Sequence, residues 1–304
     1  MADPLDDIFG PRSEGAVTTP TLIGSPSAPS DDWPLALKSH LSASQVNSWS
    51  RCENQTRFAH VLGIKSRPGI ALVWGGADHV AIGESFRQKI ETEKDLPVSE
   101  VQELFVAALE SKIAAEEDEI DWGSGEYELT PAKVKDDGVL LVAAYQTKAS
   151  PAIHPIAVEQ DFTVDLGAQV PVTGFIDVVT ETNVIERKTA SRLGPPSAPE
   201  YRAQALLYAA ATGKPAEIHM SVKPQKTNPA RIITSEQDPE LSVTPDLVRA
   251  ELLVKQTADG ILNALATYGV DSPWPGARYR YGSNSPCKWC GYGPAGSNIC
   301  EWWA

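Results

Sequence analysis

The stretch that most constrains the fold is residues 170–189, VPVTGFIDVVTETNVIERKT. Two apolar runs, Val170 to Val179 and Val184 to Ile185, flank the polar turn Glu181, Thr182 and Asn183, which is the pattern of a β-hairpin. Three charged residues, Asp177, Glu186 and Lys188, interrupt strands that otherwise read as buried. Strand side chains alternate faces, so Glu186 and Lys188 point the same way, and a turn centred near Thr182 sets Asp177 across from Glu186. Two carboxylates and an ammonium therefore converge. Carboxylates in a buried strand are costly unless they hold a cation or a partner, and oxygen ligands of this kind suit magnesium or manganese. A salt bridge between Lys188 and one acid on a half-exposed hairpin would satisfy the same three residues. The hairpin alone leaves both readings open.

The chain has 304 residues, enough for one large domain or two small ones, and its 42% hydrophobic and 22% charged residues are those of an ordinary globular protein. No apolar run approaches the roughly 20 residues of a membrane span, and MADPLDDIFG lacks the basic-then-apolar pattern of a signal peptide. The expectation is a cytoplasmic protein with no membrane association. The net charge is −14, of which −5 belongs to residues 1–36. An acidic body does not coat nucleic acid, because phosphate contacts need Lys and Arg, but bound metal adds local positive charge that formal counting omits. Four cysteines are too few for a disulfide framework in a chain of this length.

Residues 1–36, rich in Pro, Ser, Gly and Asp, read as a disordered tail. Structure is expected to begin at HLSASQVNSWSRC, where Ser42 or Ser44 can cap a helix that ends near Cys52. A helix from about Trp74 carries Gly75 and His79 on one face, so the missing side chain lets a backbone or ligand approach His79; a lone histidine is also commonly an ordinary core or surface group. VSEVQELFVAALESKIAAEE is an amphipathic helix, and DDGVLLVAAYQTK a weaker one. From Ile153 the pattern turns to strands, and Glu159 there is either a neighbour of the metal site or a surface acid. After the hairpin, SAPEYRAQALLYAAATGK is a helix that sets Gln204 and Tyr208 on one face; AEIHMSVKP is a further strand; and Thr244 and Pro245 open a long helix closed by Gly269.

The C-terminal YGSNSPCKWCGYGPAGSNICEWWA places Cys287 and Cys290 in a C-x2-C unit, followed after nine residues by Cys300. With Cys52, over two hundred residues upstream, four thiolates can hold zinc or an iron–sulfur cluster, and ligand softness does not choose between them. Either would clip the two ends of the chain together.

Taken together, GGADH at 75–79, GFID at 174–177, ERK at 186–188 and QALLY at 204–208 resemble the successive motifs of the RecB-like branch of the PD-(D/E)xK nucleases. LSASQVNSWSRC and the C-x2-C with its trailing cysteine resemble the iron–sulfur subgroup, which includes CRISPR-associated RecB-like exonucleases, their phage relatives and the AddB nuclease domain. Ile176 stands where the name-giving proline would be, and the gap before Cys300 is long. The resemblance implies an α/β restriction-endonuclease-like core with a central mixed β-sheet flanked by helices, plus helical N- and C-terminal parts joined by a cysteine-ligated cluster. Within a single domain over 37–304, residues 37–150 would be the helical N-terminal part, 151–243 the catalytic sheet core, and 244–304 the last helix and cysteine segment.

The same resemblance implies that His79, Asp177 and Glu186, with the Arg187 carbonyl, bind magnesium or manganese, and that Lys188 orients the attacking water or steadies the developing charge. Gln204 and Tyr208 would contact DNA or buttress the site, or be ordinary polar packing. Arg187, Thr189 and Arg192 are close enough in sequence to reach phosphate. Cys52, Cys287, Cys290 and Cys300 would hold a structural 4Fe–4S cluster, with zinc the alternative. The expected activity is metal-dependent DNA exonuclease action on ends or single strands in phage or prokaryotic recombination, repair or replication. A recombinase, helicase or other replication or recombination protein is the candidate partner. The competing functions are end-trimming in CRISPR adaptation and a noncatalytic DNA-end or partner-binding module.

Overall fold

The computed structural model describes residues 33–34, 37–115, 119–123, 129–190, 199–277, 286–293 and 296–303; Arg192 and most of the expected tail lie outside them. Strand β1 (Leu41–Ser42) runs into α1 (Ala43–Arg51), α2 (Ile70–Thr92), α3 (Val98–Ala115) and α4 (Pro131–Lys148). Then follow β2 (Pro155–Val164), β3 (Val172–Thr180), β4 (Val184–Ala190), α5 (Pro199–Thr212), β5 (Ala216–Val222), β6 (Arg231–Ile233), β7 (Ser242–Val243) and α6 (Leu247–Tyr268). Local chemistry sets several boundaries. Ser42 caps α1 in a reciprocal box with Gln45, and Thr130 caps α4 just before Pro131. For α6 the cap is Asp246, whose side chain accepts from the Arg249 N–H, two residues beyond the expected Thr244 start.

The sheet is mixed. β3 pairs antiparallel with β2 along its length and with β4 across the hairpin, while β4 and β5 are parallel and joined by α5. Val178 opposite Ile185 and Val179 opposite Val184 give the register expected from the turn. Beyond that point the strands part. The edge of β3 that meets β4 at residues 178–179 is taken by β1 at residues 172–173, and residues 174–177 between them pair with neither. Asp177 sits in this gap.

Two cores cover the two faces. One gathers Val46, Ile176, Val179, Val184, Leu207, Tyr208 and Val254 under α1, α5 and α6. The other gathers Trp74, Phe86, Phe105, Leu141, Tyr145, Val178 and Ile185 under α2, α3 and α4. Ile176 and Val179 are three apart yet enter the same core, so the strand's two-residue alternation is broken around Asp177. Opposite, Glu159 in β2 has φ 49°, a left-handed backbone uncommon for a non-glycine residue. Trp33, inside the stretch expected to be tail, is instead buried in the first core and donates to the Lys38 carbonyl at 2.8 Å, so order starts before residue 37. A single indole buries enough apolar surface to offset fixing a short segment. Among the described residues no helix is long and apolar enough to cross a membrane.

Candidate active site

The gap between β3 and β4 is filled by side chains. Asp177 Oδ2 accepts the Arg187 backbone N–H at 2.7 Å, a bond that a continuous ladder would give to a carbonyl. Asp177 Oδ1 lies 3.3 Å from His79 Nδ1, which α2 brings over the gap. Close approach of α2 depends on Gly75, one turn before His79: a Cβ there would stand 3.0 Å from Thr189 Oγ1 of β4. Lys188 pairs with Glu186 Oε1 on the face expected from their spacing. Glu186 is 2% exposed, and its Oε2 is buried without a hydrogen-bond partner.

The electrostatics follow from burial around two acids. Burial, then the nearby Asp177 charge, push Glu186 up to about 7 against the opposing pull of Lys188. Burial also works against Asp177, but His79 and the Arg187 N–H outweigh it and hold its pKa below the usual carboxylate value. His79 and Lys188 are each drawn down by burial and raised on balance by their carboxylate partners, Asp177 and Glu186. One acid is thus ionised at neutral pH while its neighbour is half protonated, the strain that a cation between them would relieve.

Helix α5 closes the other side. Gln204 Nε2 donates to the Tyr208 hydroxyl at 2.7 Å, and Tyr208 is 3% exposed, edge-on to Phe162 with ring centroids 5.5 Å apart. Burial raises the Tyr208 pKa, with the Glu186 charge acting in the same direction. Tyr208 thus lies close to Glu186 with its ring enclosed. Tyr201 of the same helix stands 5.5 Å from the Lys188 ammonium.

Arg187 departs from expectation. It is 2% exposed, ion-paired to the equally buried Asp78 and stacked 4.5 Å from the Tyr145 ring, whose hydroxyl lies 2.9 Å from His219 Nδ1. Alternation along β4 turns its side chain away from Glu186 and Lys188, so the guanidinium cannot reach a phosphate at the site. The sequence reading passed over Asp78 because it lies inside a helix beside the more conspicuous His79. It also passed over Phe175, which is 65% exposed on the unpaired edge two residues before Asp177 and reads in the sequence as one more apolar strand residue. Glu159 is held by Arg87 of α2 at 3.0 Å.

Apart from the hairpin, Cys52, Cys287, Cys290 and Cys300 line one apolar cavity with Phe58 and Tyr292, and none forms a disulfide. Cys52 is the C-cap of α1; Cys287 lies in the short 3-10 turn Pro286–Trp289 and Cys290 directly follows it; Cys300 donates its backbone N–H to the Tyr292 carbonyl. Burial raises the Cys52 and Cys290 thiol pKa values, and neighbouring cysteines add to the effect. Among the described residues, no three His, Cys, Asp or Glu side chains stand ready-made as a metal cage.

A family model described as the PD-(D/E)XK nuclease superfamily matches residues 40–295. Two solved structures are similar: a "Putative exonuclease" from Eubacterium rectale, at 14% identity and TM-score 0.49 over 78% of this chain and 84% of that one, and SSO0001, at 12% identity and TM-score 0.36 over 86% and 96%. Likeness this distant does not bear on activity. A search of curated proteins found no match.

Proposed function

The chain belongs to the PD-(D/E)XK nuclease superfamily, and from that premise we propose that it is a divalent-cation-dependent deoxyribonuclease acting at the β3–β4 gap. The observation that carries the reading is the buried Glu186, whose Oε2 has no hydrogen-bond partner, beside the half-buried, ionised Asp177: two hard oxygen donors at one site. Asp177, Glu186 and His79 would hold magnesium or manganese, with the Arg187 carbonyl as a further donor. When bound, the cation would polarise the scissile phosphate and lower the pKa of a water. Lys188, released from Glu186, would then be free to orient that water and balance charge on the phosphate oxygens. Asp78 would hold Arg187, and through it the backbone that positions Asp177. Exposed Phe175 offers a stacking face for a base beside the acids, which suits a single strand or a frayed end.

The four cysteines would hold a 4Fe–4S cluster, with zinc the alternative, in a structural role: hydrolysis needs no redox step. The finer assignment is an exonuclease in phage or prokaryotic recombination, repair or replication, working with a recombinase or helicase on DNA ends. The test is incubation of end-labelled single- and double-stranded DNA with and without manganese, beside Asp177→Ala. Metal-dependent shortening of the label by the parent protein and none by the variant is expected; equal activity from Asp177→Ala would sink the assignment.

A further inference from the structure

Immediately beyond Lys188, the end of β4 opens onto a cleft of about 380 Å³ between the sheet and the first turns of α2. Thr189 and Ala190 form one wall, Ile70 and Trp74 of α2 another, and Tyr201 of α5 a third, with Lys223 at the end of β5. Its volume falls within the range of small-molecule sites, and its apolar and aromatic walls carry two charged groups, Lys223 and Asp137, the latter held by Lys133 at 2.9 Å. Lys223 is held 5.8 Å from the Trp74 ring, and burial lowers its pKa. The cleft adjoins the candidate site: Thr189 follows Lys188 on the other face of β4, and Tyr201 links the two, as a wall of the cleft and as the ring beside the Lys188 ammonium.

We propose that this cleft receives one unpaired nucleobase of the strand whose phosphate lies at Asp177 and Glu186, so that the site accepts DNA only where a base can leave the stack. The proposal rests on the nuclease reading and names its substrate requirement. A flat heteroaromatic ring matches a slot walled by Tyr201, Trp74 and aliphatic side chains, and Lys223 supplies a donor for a base carbonyl or the adjoining phosphate. A paired base in a duplex cannot enter, because its edge is engaged and its faces are stacked on neighbours. Phe175 lies outside the cleft and offers its contact independently.

The probe is a dye-labelled six-nucleotide oligothymidylate, compared with the same backbone made fully abasic, with affinity read by fluorescence anisotropy in EDTA so that nothing is cleaved. The parent protein should bind the oligothymidylate at least about fivefold more tightly than the abasic strand. Tyr201→Ala, which removes a wall, and Ala71→Trp, which fills the cleft from an exposed position on α2, should each bring that ratio near one, whereas Phe175→Ala should leave part of it. Circular dichroism confirms that each variant is folded. A ratio near one in the parent, no binding at all, or a ratio unchanged in both Tyr201→Ala and Ala71→Trp would overturn the proposal. Absence of cleavage in the manganese assay with end-labelled DNA, with these ratios behaving as expected, would instead sink the nuclease reading and leave the base cleft standing.

Discussion

Glu186 is the residue whose chemistry is most exposed to test. Its folded pKa of about 7 lies above the ordinary value of 4.5, so the fold favours the protonated form. The stability it contributes is therefore fully present below about pH 4.5 and is lost as pH rises through about 7, an effect on the order of 3 kcal/mol. In EDTA, urea midpoints should fall across that window for the parent protein and fall less for Glu186→Gln. Manganese should flatten the parent curve, because a cation makes the charged carboxylate the favoured form. Asp78 is a second case. Removing it as Asp78→Ala strands the buried Arg187 charge and should cost roughly 3–5 kcal/mol in denaturant melts. Arg187→Met with Asp78→Leu, which removes both charges, should recover much of that loss. Both residues were open to different degrees in the sequence. Glu186 is marked by a charge in a buried strand, whereas Asp78 is marked only by a partner 109 residues away.

At the scale of elements, α2 and α4 show how tightly the β3–β4 hairpin is framed. Gly83, in the interior of α2, would place a Cβ 3.6 Å from Val158, an ordinary contact, while Gly138 of α4 would drive one to 2.0 Å from the Phe105 ring. Gly83→Ala should therefore raise stability by about 0.5–1 kcal/mol through helix propensity. Gly138→Ala should lower it by about 1–3 kcal/mol through overpacking. Thermal melts of the two variants check both signs. The hairpin itself was readable as an element because its alternation and turn lie within twenty residues. The parting of β3 from β4 was not, since it arises where β1, far upstream, takes the neighbouring stretch of the same edge.

At the scale of the whole molecule, Cys52, Cys287, Cys290 and Cys300 come from distant parts of the chain to line one cavity. Arg57 gathers the same region by donating to the Val270 and Asp271 carbonyls and to Asn54, and by pairing with Glu301 at 3.0 Å. The clasp holds the C-terminal end even when no cofactor bridges the thiols. A cofactor would add closure of a loop of over two hundred residues, worth on the order of 5 kcal/mol on chain-entropy arguments. Cys290→Ser should accordingly lose visible absorbance and melt at lower temperature, while Asp177→Ala keeps the absorbance. A colourless parent protein that retains stoichiometric zinc would decide for the alternative ligand.

By itself, the sequence determined the hairpin, its register, the shared face of Glu186 and Lys188 and the order of the main helices and strands. These are short-range matters, governed by periodicities of two and 3.6 residues and by turn and cap chemistry. The tertiary structure alone decided that β3 and β4 part at Asp177, that Arg187 turns inward to Asp78, that Trp33 joins the core and that Tyr208 lies close to Glu186. It also decided that a cleft opens beside Lys188. Each depends on which distant segments bury each other's surface, and a buried charge or ring finds its partner in space, where the spacing of residues along the chain carries no record of it.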